Sequence, residues 1–220
     1  MATYSLTPSA DSYIASGQGN LGSSQGLVAG QVFVISTLFS RALLRFDLTA
    51  LAGLAIVSAT LRLSLSEAFF PEGPHVISLH ETSTTWTELG VTWTSADGAT
   101  NWTTAGGDYG AAFTTGTVTH GATSLTFNML QKVQQRAGGL LNTIAVSPED
   151  GAINHFFTAY SKESGDSSLW PTLTVVAVTP AGAPLQWNAP GSPCHWAEPA
   201  VELPPLEWSP LASKRMHWTA

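Results

Sequence analysis

Cysteine is all but missing from this chain of 220 residues: Cys194 stands alone. A single thiol excludes an intrachain disulfide and any zinc site built on paired cysteines; it reads as a small, partly buried side chain. Charge is scarce as well, at 10% of residues, where an ordinary soluble domain carries about 25%. The 15 acidic and 8 basic residues leave a net charge of -7 with no basic stripe. That excludes broad phosphate-backbone binding, so no nucleic acid partner is expected, and it disfavours steered contact with an anionic membrane. No apolar run approaches the length of a bilayer span. The opening Met1-Ala-Thr-Tyr-Ser-Leu-Thr-Pro8 has neither a basic n-region nor an apolar h-region. The expectation is a protein made and kept in the cytosol unless a host assembly or a non-Sec route carries it out.

What remains is apolar residues, at 44%, set among Thr, Ser, Asn, Gln and Gly. The stretch Arg41-Ala-Leu-Leu-Arg-Phe-Asp-Leu48 organises the rest. Leu44, Phe46 and Leu48 share one face at period two, and Leu43, Arg45 and Asp47 share the other. Such a strand is half-buried and belongs in a sandwich, its apolar face against a second sheet. Residues 3–14 read as a first strand interrupted near Pro8, and 27–39 as a β-prone run. In 56–66, Ala59, Leu61, Leu63 and Leu65 alternate with Thr60, Arg62 and Ser64. Residues 76–82, 140–146, 155–161 and 169–178 read as further strands. Trp86 to Trp93 opens a long loop punctuated by Asp97-Gly98 and Gly106-Gly107-Asp108. Residues 125–136 are the one helical candidate, with Leu125, Met129, Leu130 and Val133 on one side and Gly138-Gly139 as the stop.

From Pro180 onward the composition changes. Prolines crowd a region with no strand or helix period, and Trp187, Trp196, Trp208 and Trp218 recur at spacings of 9, 12 and 10. A solvated linker is poor in tryptophan. The division expected is a sandwich over 1–179 and an extended Pro/Trp-rich arm over 180–220, its four indoles docking on the sandwich or on a neighbouring subunit.

Two motif matches sit in the first loop. Gly17-Gln-Gly-Asn-Leu-Gly22 spells a dinucleotide fingerprint but lacks the βαβ unit, and Gly22-Ser-Ser-Gln-Gly26 spells a nucleophile elbow without a strand-to-helix turn. Both read as products of a Gly/Ser-rich loop. The six histidines have no ligand spacing, so no metal site is assigned to them. Asp11, Asp97 and Asp108 could help hold calcium in loops, though nothing in their spacing demands it. Glu81 and Glu88 are the one carboxylate pair that glycosidase chemistry could use, and a solvated or hydrogen-bonded role outranks it. No catalytic residue is assigned.

Several short pieces occur in a fixed order: Asp11-Ser-Tyr-Ile14, Asn20-Leu-Gly22, Arg41 to Leu48, Ala59-Thr-Leu-Arg-Leu63, Trp86-Thr-Glu88, Val91-Thr-Trp93, Phe157 to Glu163 and Pro171-Thr-Leu-Thr-Val175. Over residues 3–178 the chain resembles the DNRLRE family of β-sandwich domains, similar to jelly-roll carbohydrate-binding modules. The resemblance implies an all-β, jelly-roll-type sandwich with one short helix and no catalytic activity. It also implies that Arg41 or Arg45 pairs with Glu163, and it makes Trp86 and Trp93 either packing residues or sugar platforms; Trp102 and Tyr109 are further candidate platforms. The function expected first is a phage virion component (tail, baseplate or capsid decoration) whose arm docks on copies of itself or on other virion proteins. The alternative is a free-standing carbohydrate-binding module that recognises a surface polysaccharide.

Overall fold

The computed structural model describes residues 1–33, 37–70, 73–147 and 154–180. Eleven strands run in the order β1 (Ala2–Leu6), β2 (Ala10–Ala15), β3 (Gly26–Phe33), β4 (Thr37–Asp47), β5 (Ala55–Phe69), β6 (His75–Glu81), β7 (Ala112–Val118), β8 (Ser124–Asn128), β9 (Leu140–Val146), β10 (His155–Tyr160) and β11 (Thr172–Val178). Among the described residues one α-helix, α1 (Leu130–Arg136), lies between β8 and β9. Every pairing between these strands is antiparallel. The all-β, jelly-roll-type sandwich read from the sequence is what forms.

One layer holds β1, β11, β5 and β8, and the other runs β10, β3, β4, β9, β6, β7 with β2 beside β4. The seam between them is β5. Its first half pairs with β11, from Ala55↔Val178 to Arg62↔Thr172, and its second half pairs with β10, from Leu65↔Ala159 to Phe69↔Phe156. The main core fills the space between the layers. Leu61, Leu63, Phe127, Leu173 and Val175 come from one side, and Leu44, Phe46, Leu79, Leu141 and Phe157 from the other. Period-two alternation in β4 and β5 puts these side chains there, and water leaves an apolar surface too large for one sheet to hide.

Three expectations change at this level. Residues 3–14 are two strands in different layers, because Pro8 lies in the gap between β1 and β2. The β-prone run 27–39 is split between β3 and β4, which pair back on each other at Gly30↔Ser40 and Phe33↔Thr37. The helical candidate is half strand: Leu125 and Phe127 point into the core from β8, and α1 begins only at Leu130, whose N–H is capped by Asn128 Oδ1 at 3.1 Å.

The fourth change matters most for function. β4 is not half-buried; Leu43 is fully buried on the face expected to meet solvent. The stretch 82–111 between β6 and β7 lies over that face and builds a second, smaller core. There Trp86, Val91, Ala96 and Trp102 pack on Ala10, Ile14, Leu43 and Ile144.

Candidate functional site

A connection of this length without a strand or helix of its own is uncommon and usually carries function. Its shape is set by its own hydrogen bonds, among them Thr87 N to Ala96 O at 3.0 Å, Trp102 N to Thr94 O at 3.1 Å and Gly106 N to Trp93 O at 2.7 Å. The first loop of the chain braces it. Asn20 Nδ2 donates to both Glu88 O and Val91 O at 2.8 Å, and Gly22 lies so close to the Glu88 carbonyl that a Cβ would overlap it. That close approach explains the glycine which the two motif matches misread.

Arg41 leaves β4 into the space beneath the loop. Its guanidinium carbon is 5.0 Å from the centroid of Trp93 and 5.1 Å from that of Tyr109, and Nη1 donates to Gly106 O at 2.8 Å. Gly106 has φ +93° and sits against both Arg41 and Trp93, so a side chain here is excluded by conformation and by space. Two rings holding one guanidinium form a rigid cation–π stack. Beside it opens a trough of about 450 Å³ lined by Arg41, Tyr109, Asp108 and the hydroxyls of Ser83, Thr84, Thr103 and Thr104. Asp108 accepts N–H groups of Thr103 and Thr104 at 2.8 Å each, and these bonds, the Thr103 one foremost, hold its carboxyl below the usual range. It therefore offers acceptor oxygens rather than an acidic proton. His80 supports the back of Tyr109, with ring centroids 4.8 Å apart, and its Nδ1–H donates to Gly110 O at 2.8 Å. An aromatic face, a guanidinium, a fixed carboxylate and a rim of hydroxyls suit a polyhydroxylated ligand held by stacking and hydrogen bonds.

The four candidate sugar platforms separate into two pairs. Trp86 and Trp102 are buried in the second core, with Trp102 Nε1 donating to Thr92 O at 2.9 Å, and neither offers a face to a ligand. Trp93 and Tyr109 are half-buried around Arg41. The hydroxyl rim has no signal in the sequence beyond the Gly106-Gly107-Asp108 punctuation, and Asp108, read there as a possible calcium ligand, lines the trough instead.

The arginine–Glu163 ion pair is replaced by other contacts. Arg45 lies 4.6 Å over the Trp86 ring, donates through Nε to Asn142 Oδ1 at 2.8 Å and donates through Nη2 to Trp86 O. Burial lowers its pKa. Glu163 takes its ion pair from its neighbour Lys162, at 3.6 Å, because it sits on the turn after β10 among other acids. Those acids are Asp11 and Glu88, whose carboxylate oxygens lie with one of Glu163 within 4.8 Å of one another. Burial above all pushes Asp11 up to about 8; the Lys162 N–H opposes this, and the Glu163 and Glu88 carboxylates add to it. Burial likewise raises Glu88, against its 2.9 Å ion pair with Lys162.

Glu81 and Glu88 are engaged by different cations: Lys132 and Arg136 hold Glu81, and Lys162 holds Glu88. Of the three aspartates considered for calcium, Asp11 lies in β2 and joins the cluster with Glu88 and Glu163, while Asp97 accepts N–H groups of Ala99 and Thr100 and Asp108 those of Thr103 and Thr104. Trp187, Trp196, Trp208 and Trp218, with the whole 181–220 stretch, lie outside the described residues.

The family model of carbohydrate-binding module family 96 matches residues 2–174. No curated protein matches the chain. The family match supports the carbohydrate-binding-module side of the expected resemblance and a glycan partner. It lends nothing to the DNRLRE name, to a virion setting or to self-association.

Proposed function

The chain belongs to carbohydrate-binding module family 96, and from that premise we propose that it is a non-catalytic glycan-binding module whose sugar lies in the trough beside Arg41 and Tyr109. The observation that carries the assignment is the cation–π stack at the trough wall. It presents Tyr109 in one fixed orientation next to charged and hydroxyl groups of both hydrogen-bonding polarities. A sugar ring meets an aromatic face with its C–H groups and offers its hydroxyls sideways. Arg41 supplies donors there, Asp108 acceptors, and the threonine hydroxyls both. Because the groups are held before a ligand arrives, little ordering cost remains at binding.

The test is calorimetric titration of the purified chain with a panel of neutral and uronic-acid polysaccharides. At least one should bind, and Tyr109→Ala should weaken that binding about ten-fold or more, the scale of one well-placed aromatic contact, while the strand core stays folded. A panel without a binder sinks the module reading. A binder indifferent to Tyr109→Ala keeps the module and moves the site elsewhere.

A further inference from the structure

We propose that Asp11, Glu88 and Glu163 form a binding site for a divalent cation of the calcium class, which pins the 82–111 loop to the sandwich. The three residues come from separate segments: Asp11 from β2, Glu88 from the loop and Glu163 from the turn between β10 and β11. Their ligand atoms lie within 4.8 Å of one another. Calcium–oxygen bonds of about 2.3–2.6 Å place any two ligands of one ion no more than about 5 Å apart.

Acidic clusters are common without an ion, and a second observation separates this one. Asp11 is fully buried; its Oδ2 accepts the Lys162 N–H at 2.9 Å, while Oδ1 has no hydrogen-bond partner. Glu163 Oε2 is a second buried acceptor without a partner in the same cluster. The nearby hydroxyl of Ser161 is already committed, donating to Ser24 O at 2.6 Å. Carboxylate oxygens converging from three segments, two of them without a hydrogen-bond partner, are satisfied together by a metal cation.

Charge leads to the same conclusion. Three carboxylates face one ammonium, Lys162, which lies 2.9 Å from Glu88 and 3.6 Å from Glu163; Arg45 adds only a weaker attraction to Glu88. With all three carboxylates ionised around an ion, the surplus is about two negative charges, which matches a divalent ion. Ligands drawn from three independent segments favour calcium's flexible coordination over the strict octahedron of magnesium, with waters completing the shell.

The experiment uses the full chain, stripped with a chelator and titrated with calcium chloride in the absence of any glycan. Heat and thermal midpoint are followed together. One calcium should bind per chain, and the midpoint should climb with calcium concentration by mass action, with a smaller response to magnesium. Asp11→Asn should leave the metal-free midpoint no lower than that of the unaltered chain and abolish the calcium response. Glu163→Gln should weaken binding about ten-fold or more, since even groups that merely support a ligand act on that scale; if Asp11→Asn does not fold, this variant decides alone. The proposal is overturned by a metal-free chain that shows neither heat nor midpoint shift up to about 10 mM calcium, beyond the weak extracellular range. A calcium response that survives in the variants overturns it equally.

Discussion

The two faces of β4 are buried by different means. On one face, Leu44, Phe46 and Leu48 enter a core supplied by strands of both layers. On the other, Leu43 is covered by a loop that has no ladder of its own and rests on a few indoles, one guanidinium stack and one asparagine. The first face is redundant: neighbouring strands crowd each side chain, and no single contact decides the outcome. The second depends on particular atoms, and it alone opens a trough. Rigidity at the first lets the second carry specialised geometry, the usual division between scaffold and binding loop.

The comparison can be broken from either side. Phe46→Ala should give the largest effect, a global loss of about 3–5 kcal/mol by denaturant titration, because the cavity lies where the strands cannot close around it. Trp86→Ala removes a bigger buried side chain yet should cost less global stability, since the loop can open locally. Its mark should be loss of amide protection confined to 82–111 in hydrogen exchange, with β4 and β5 still protected. Equal loss of protection in the strands would mean that the two cores are one cooperative unit. Gly22→Ala should cost about 1–3 kcal/mol, the range for forcing atoms into filled space, and should loosen the same loop through the Glu88 carbonyl. Smallest is the pH effect at Glu81. Burial works to raise its pKa, but the Arg136 and Lys132 contacts outweigh that and hold it below the usual range. The folded-state pKa is depressed, so this contribution is present above the unfolded value and disappears as pH falls through the folded one. The stability gap between the unaltered chain and Glu81→Gln should be roughly 1 kcal/mol at neutral pH, typical of a part-exposed pair, and should close in acid.

Periodicity made the first face legible. β9 begins and ends where its pattern does, and the alternation of Ala59, Leu61, Leu63 and Leu65 in β5 is the observed burial. Where two periods overlap, the reading failed: Leu125 to Val133 fits a helical face, yet Leu125 and Phe127 also alternate, and the strand won up to Asn128. β7 escaped notice because Gly116 occupies its middle, where β8 comes so near that a Cβ would lie 2.7 Å from Thr126 O. The second face has no period to read. The sequence marks Trp86, Trp93, Trp102 and Tyr109 as belonging together, but which ring turns outward depends on the folded path between them. The Glu163 partnership failed for a related reason. Three carboxylates meet only after β2, the loop and the last turn are assembled, and no spacing along the chain announces it.

The pairing of β1 with β11 has a mechanical consequence. The strands are antiparallel, with Ala2 opposite Ala177, so the sandwich begins and ends at the same corner. Tension applied across those two points loads the ladder one rung at a time, as a zipper is opened, instead of shearing all its hydrogen bonds together. The edge strand should therefore peel at low force and leave β4, the Arg41 stack and the trough intact while the tether lengthens.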